Sequence, residues 1–321
     1  MGAGLSGCTL GYLLRKQGFS VLLLERKDAK KKDKLCGGIL TRKSVRLLKE
    51  IYGEEAIGTL PLSDNYTVSS TNQGNRITLA DSKVKTIPRK VLDDFVLEKY
   101  LSAGGVLLDK VTFSSLDPVG HRITVAGQTY AYDVLVGADG VLSAVRKTVT
   151  GTQQPTNLAL EIQVPEQSDQ MIIAFQSDLT GYYYQIPNVQ GTIYGIGDVS
   201  GGSEKAKEKL KTFYGKGPLP KVRGAYLPTG NAVLLHAPHD IYFVGDAAGL
   251  IFPLPAKAFT AHCVPRRRSA PPAPPSSMNL PCCVPGRPCL NTKWYSASFT
   301  LFRFETLCSA LTFGFRRSTS W

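Results

Sequence analysis

Two short runs in different halves of the chain constrain its fold most: Val136-Gly137-Ala138-Asp139-Gly140 and Val244-Gly245-Asp246-Ala247-Ala248-Gly249. Each sets an Asp beside Gly directly after an apolar strand, predicted over Tyr132–Val136 and Ile241–Val244. An α/β protein brings a carboxylate and bare backbone to the carboxyl edge of its sheet in this way, and nucleotides bind at that edge. The chain also opens on Gly2-Ala3-Gly4-Leu5-Ser6-Gly7. In such a turn the first Gly makes the tight bend and the second lets backbone approach a pyrophosphate. The third lets the following helix pack closely on its strand. Leu5–Gln17, with Leu10, Leu13 and Leu14 on one face, is predicted as that helix, and Phe19–Leu24 as a strand buried on both faces. Glu25 ends that strand near the spacing expected of a carboxylate that bonds a ribose hydroxyl, with Arg26 beside it.

The three signals, in this order, resemble the FAD-dependent oxidoreductases of the geranylgeranyl reductase and aromatic-ring hydroxylase superfamily over roughly residues 1–255. The fold class expected is α/β: an FAD-binding, Rossmann-like parallel sheet interleaved with an antiparallel β substrate domain. The expected division is 1–150 and 231–255 for the FAD-binding part, 151–230 for the substrate part, and 256–321 as an aberrant tail. The resemblance implies that Gly2, Gly4, Gly7, Glu25, Arg26, Asp139, Gly140, Gly245, Asp246 and Ala247 bind FAD. It also places Gly37, Gly38 and Arg89 on the cofactor. Ser143 and Arg146 complete a G-A-D-G-x-x-S-x-x-R pattern, the most specific signature present.

Cys36-Gly37-Gly38 resembles the geranylgeranyl reductase branch and implies a loop beside the flavin ring, its glycines allowing close approach. Cys36 is then a candidate for contacting substrate or flavin, and a small buried Cys is the alternative. Arg89, at the start of a helix predicted over Arg89–Ala103, is either a cofactor contact or a surface residue. Lys43–Tyr52 is predicted as a further helix, and Arg122–Val125 with Gln128–Tyr132 as a hairpin about Ala126-Gly127. Four strand-like runs, Leu158–Val164, Met171–Gln176, Gly181–Ile186 and Thr192–Val199, predict the antiparallel meander. Alternate residues of a strand face opposite ways, so Tyr182 and Tyr184 would line the substrate face while Tyr183 packs behind. Core packing is the competing account of all three. Cys36 and Tyr184 are the candidate catalytic residues.

Gly195-Ile196-Gly197 imitates a second dinucleotide turn, but no helix is predicted at its glycines, so any NAD(P)H would dock transiently or another electron donor, such as a protein, would serve. His236 and His239 lack a third ligand, which argues against a metal. Ser203–Tyr214 is predicted as an exposed, Lys/Glu-rich helix.

A net charge of +13 would suit a nucleic-acid binder, but residues 260–321 hold eight Lys/Arg against the single acid Glu305. Setting that tail aside removes about half the excess, and no nucleic-acid partner is expected. Five of the seven Cys also fall there, and Cys8 with Cys36 makes no disulfide framework, which fits a reducing cytoplasm. No apolar run is long enough to span a bilayer, so at most peripheral membrane contact is expected.

Two departures from the family pattern stand out. No strand precedes Gly2, which implies a shortened chain or a translation start placed too late. After Pro253 the family's Gly-Glu-Gly-Ile helix is replaced by Leu254-Pro255-Ala256-Lys257, and an out-of-phase reading of these codons can restore it. A frameshift is therefore expected at or just before Pro253. The expected function is reduction of isoprenoid carbon–carbon double bonds, impaired in the chain as it stands. A flavin monooxygenase using NAD(P)H and O₂ on an aromatic substrate, or a non-catalytic flavoprotein remnant, are the alternatives.

Overall fold

The computed structural model describes residues 1–72, 75–79, 83–198, 202–229 and 232–250. The change at Pro253 and the Cys- and Pro-rich tail lie outside the described residues. Within them the fold is mixed α/β, as the glycine turns and strand alternation imply.

The first helix spans Leu5–Lys16 and packs against a second long helix, Arg89–Ser102. Together with the helix Arg42–Tyr52 they enclose a core that includes Cys8, Leu48, Ile87, Val96 and Tyr100. Thr41 caps the Arg42 helix by accepting from the Ser44 N–H, which explains why it starts there. Two parallel ladders flank this layer. One pairs Leu22–Leu24 with Val106–Leu108; the other pairs Leu135–Gly137 with Ile241–Phe243. The backbone of Met1 and Gly2 runs between them. The Met1 amine donates to Val136 O and Met1 O accepts from the Ala138 N–H, both at 2.7 Å, while the Gly2 N–H donates to Leu24 O at 2.7 Å. Only Leu22–Leu24 of the predicted Phe19–Leu24 run forms a strand, because the Phe19 amide instead closes the end of the first helix onto Leu14 O.

The Arg122–Val125 and Gln128–Ala131 hairpin turns at Ala126 and Gly127, both at positive φ (49° and 82°), the pair of left-handed residues that a two-residue turn between twisted strands requires.

The region expected to hold substrate is built on a seven-stranded sheet. Its centre is the meander Thr156–Val164, Gln170–Phe175, Tyr182–Asn188 and Gly191–Asp198. The sheet is larger than 151–230 and not wholly antiparallel. Thr67–Asn72 pairs in parallel with Gln170–Phe175 and carries the antiparallel strand Asn75–Leu79 at one edge. Arg223–Pro228 forms the other edge. The helix Gly202–Tyr214 covers one face through Ala206 and Leu210. No helix among the described residues is long and apolar enough to cross a membrane.

Candidate functional site

The nucleotide edge is built by glycines whose constraints differ. Gly2 has φ +98°, and a Cβ there would lie 2.2 Å from Ala138 O; a Cβ on Gly7 would lie 1.9 Å from Gly2 O. Both positions therefore need bare backbone to seat the first helix on the sheet. Gly4 is different: a Cβ there meets nothing within 4 Å. It opens a helix with no side-chain cap and no acid in its first turn. An uncapped helix start with open room at Gly4 is the arrangement that receives phosphates. These residues fit a dinucleotide.

Glu25 stands beside this cradle. Its Oε2 accepts from the Ala3 N–H and its Oε1 from the Lys27 N–H, each at 2.9 Å, and Lys32 Nζ lies 3.5 Å away. Burial opposes ionisation of Glu25, but the Lys27 amide, Lys32 and the Ala3 amide outweigh it and hold the carboxyl below its usual range. A largely buried, ionised carboxylate next to the phosphate cradle suits a ribose hydroxyl donor. Arg26 is exposed beside it.

Asp139 is engaged within its own turn. Its Oδ1 accepts from the Ser143 hydroxyl at 2.5 Å, and its Oδ2 from the amides of Ala144 and Val145 at 2.8 and 3.2 Å. The carboxylate closes the turn onto the helix Ala144–Thr150. Gly140, at φ +85° and with open space where a Cβ would be, is what this turn leaves facing outward. Gly245 (φ +58°) presses against the first helix, where a Cβ would meet Ser6 Oγ at 2.4 Å, and Ala247 is fully buried behind it. Asp246 keeps its carboxylate at the rim, 2.5 Å from Lys34 Nζ.

The buried Arg146 donates to Ala247 O (3.2 Å) and Ala232 O (2.6 Å), and Gln154 Nε2 donates to Asp246 O (2.6 Å) and Val141 O (2.9 Å). These two side chains fasten the two Asp-Gly turns to each other. Nothing in the sequence marks Gln154.

A second group gathers where the loop after Glu25 meets the large sheet. A Cβ on Gly37 would come within 2.2 Å of Ile186 Cδ1, and one on Gly38 (φ +71°) within 1.9 Å of Ile87 O. The close approach permitted by these glycines is thus to the Tyr182–Asn188 strand and to the segment before the Arg89 helix. Cys36 is thereby set against that strand. The Arg89 Nε donates to Asp93 Oδ1 at 3.0 Å, and its guanidinium lies beside Cys36. Burial works against the charge on Arg89, yet Cys36 and Asp93 hold its pKa above the ordinary value. The bland alternative of a surface Arg is excluded by its 13% side-chain exposure.

The tyrosines divide as alternation predicts. Tyr183 points to the helix side, stacks on Phe213 at 4.9 Å and donates to Asp178. Tyr182 and Tyr184 take the other face, 6.0 Å apart between ring centroids, in an apolar patch with Met171, Ile186 and Ile193. Gly195 and Gly197 lie inside the adjoining strand. A Cβ on Gly195 would strike the Tyr184 ring at 2.0 Å, and one on Gly197 would touch Tyr182 at 3.7 Å. These glycines make room for tyrosines and form no nucleotide turn.

Glu161 was not anticipated. It is 3% exposed and accepts from the Tyr184 hydroxyl at 3.3 Å. The one available signal was a carboxylate interrupting the apolar run from Leu158 to Val164. His236 tilts against Tyr242, and among the described residues no three His, Cys, Asp or Glu side chains are grouped to hold a metal ion.

The profile of the FAD binding domain family matches residues 1–172. The chain belongs to that family. Its enzyme class is that of the FAD-dependent oxidoreductases, and FAD is its cofactor. An uncharacterised protein of Methanosarcina barkeri is 26% identical over 263 residues, covering 78% of this chain and 67% of the relative. An FAD-dependent monooxygenase of Nectria sp. is 27% identical over 235 residues; the match covers 67% of this chain and only 29% of that enzyme.

Among solved structures, a geranylgeranyl bacteriochlorophyll reductase-like protein from Thermoplasma acidophilum superposes with TM-score 0.67 at 17% identity, covering 79% of this chain and 72% of its own. A probable FAD-dependent monooxygenase from Pseudomonas aeruginosa gives TM-score 0.56 at 17% identity, covering 77% of each chain. At these identities the structural neighbours establish the shared family fold.

Proposed function

We propose that this FAD-binding domain protein reduces carbon–carbon double bonds of an isoprenoid. The observation that carries the reading is the wall formed by Cys36, Tyr182, Tyr184 and Ile186, where the glycine loop from the FAD-binding part abuts an apolar, tyrosine-bearing strand. A long hydrocarbon is recognised by apolar surroundings with few polar groups, and the cluster of Met171, Tyr184, Ile186 and Ile193, buried behind the partly exposed Tyr182, has that composition. Its structural likeness to a geranylgeranyl bacteriochlorophyll reductase-like protein supports the same direction.

In this reading Gly4, the first helix, Glu25, Gly140 and the Gly245–Ala248 turn hold FAD. Bound and reduced, it supplies a hydride. The chain's own residues do the rest. The Cys36-Gly37-Gly38 loop and the Tyr182 strand exclude water and align the alkene, and Tyr184 offers a hydroxyl proton. Reducing equivalents come from NAD(P)H docking transiently or from a donor protein.

Aromatic monooxygenation is the second reading, favoured by the likeness to FAD-dependent monooxygenases and by aromatic rings on the same wall. The test is product analysis with the FAD-loaded protein. Anaerobic incubation with a reductant and a geranylgeranyl lipid is expected to yield the saturated chain. Hydroxylation of a phenolic substrate under O₂ and NAD(P)H, with no alkene reduction, would overturn the proposal in favour of the second reading.

A further inference from the structure

The Tyr184 hydroxyl belongs to a cross-strand row. The strand register sets Arg223 opposite Glu161, Glu161 opposite Gly195, and Gly195 opposite Tyr184. Gly195 contributes no side chain, so the Tyr184 ring lies across its strand and reaches the carboxylate on the next one. Residues opposite one another on neighbouring strands share a face. Glu161 therefore looks to the same side of the sheet as the substrate wall, with Leu160 and Ile162 turned to the helix-covered core behind.

Glu161 also meets the FAD-binding part. The Cys36 backbone N–H donates to it, so one buried carboxylate joins the Cys-Gly-Gly loop to the Tyr182 strand. Its charged surroundings are few. Arg223 faces it from the edge strand but is shared with Asp33, with Nη1 2.9 Å from Asp33 Oδ2. Tyr184 and Cys36 face it from the other side, and Tyr182 adjoins Tyr184. Burial pushes the Glu161 carboxyl up to about 7, with Arg223 and the Tyr184 hydrogen bond opposing that rise and Asp33 adding to it. A purely structural carboxylate would be expected to have a complete ion pair here; burying one with half a partner is costly.

We propose that Glu161 is the proton reserve behind Tyr184, replacing the proton that the Tyr184 hydroxyl gives to the substrate carbon. This rests on the reductase reading above. As the hydride reaches one alkene carbon, the Tyr184 O–H bond breaks and a C–H bond forms at the other. With Glu161 protonated, its O–H donates to Tyr184 Oη across the same 3.3 Å contact and leaves the Tyr184 proton free to face the substrate, so the Glu161 carboxylic proton moves to Tyr184 Oη in the same event. Tyrosine ends neutral, Glu161 ends as a carboxylate, the double bond is reduced, and the flavin is oxidised by two electrons. Solvent then reprotonates Glu161. Keeping the donor as a tyrosine with a carboxylic acid behind it avoids leaving a phenolate in an apolar site. Glu161 acts through Tyr184 and is a positioning and proton-supplying residue.

The experiment uses the FAD-loaded full chain and the variants E161Q and Y184F. Infrared difference spectroscopy across pH 5–9 reads the carboxylic C=O band directly and needs no turnover. We expect a band titrating near neutral pH, absent in E161Q and displaced in Y184F. In turnover with a geranylgeranyl lipid, the wild-type kcat is expected to fall as pH rises through about 7. E161Q is expected to lose roughly 100-fold or more in kcat, with KM little changed and that pH limb removed. E161D is expected to recover part of the rate and the limb.

A wild-type protein that reduces no alkene overturns the reading on which this rests. An active wild type together with an E161Q that matches its rate and pH profile overturns the proton role alone, as does a carboxyl that titrates near its ordinary value.

Discussion

Lys34 Nζ stands 2.5 Å from Asp246 Oδ2, so the basic loop that follows Glu25 is clasped to the last Asp-Gly turn of the chain. The two residues are more than two hundred positions apart in sequence and close the rim of the nucleotide edge. Both are partly exposed, which caps what the pair adds to folding at about 1 kcal/mol. K34A is expected to lower the unfolding free energy read from urea denaturation by no more than that amount, and by less at high salt. A loss above roughly 2 kcal/mol would show that the clasp is better shielded than its exposure implies.

The glycines of the opening turn separate fold from cofactor. Gly4→Ala places its methyl in open room at an ordinary φ of −80°. It is expected to melt like the wild type and to lose FAD affinity at least tenfold in a flavin titration. Gly7→Ala drives a Cβ into Gly2 O and is expected to cost about 2 kcal/mol or more of stability before any cofactor is added. Equal melting temperatures for the two variants would contradict this division.

Asp139 and Arg146 are expected to behave as structural residues. D139A removes the acceptor for Ser143 Oγ and two helix-start amides, at a cost on the order of 1–2 kcal/mol. R146K retains charge but cannot fork between Ala247 O and Ala232 O, and a loss on the order of 2 kcal/mol is expected. Chemical denaturation of the FAD-free protein measures both, and stability losses seen only with FAD bound would assign these residues to the cofactor instead.

Glu161 should write a slope into the pH dependence of stability. Its folded pKa, about 7, lies above the ordinary 4.5, so the folded state holds the proton more tightly. The associated stability is fully present below about pH 4.5 and is lost as pH rises through about 7, on the order of 3 kcal/mol in all. E161Q is expected to flatten this slope. Denaturant midpoints at pH 5 and pH 8 for the two proteins give the comparison.

Backbone demands were the most legible part of the sequence. A turn that needs positive φ or contact with a neighbouring carbonyl admits little besides Gly, so Gly2, Gly7, Gly38 and Gly127 could be read from residue type alone. The tyrosine faces followed from the two-residue period of a strand. Pairing between distant segments was not legible. Thr67–Asn72 reads Thr-Val-Ser-Ser-Thr-Asn, with too few apolar residues to announce a strand, yet Val68, Ser69 and Ser70 are buried by the sheet it joins. Spacing puts Asp139 in its turn but does not announce its bonds to Ser143, Ala144 and Val145, because spacing does not say which way a carboxylate points. Glu161 and Gln154 take their significance from partners across the fold, and no local pattern carries that.

The parallel pairing of Thr67–Asn72 with Gln170–Phe175 has a consequence for how the protein is made. The hairpin at residues 67–79 leaves the ribosome with an unfilled edge and must wait for roughly a hundred more residues before its partner strand emerges. Until it does, that edge is open to mispairing, and it is where a chaperone would be needed most.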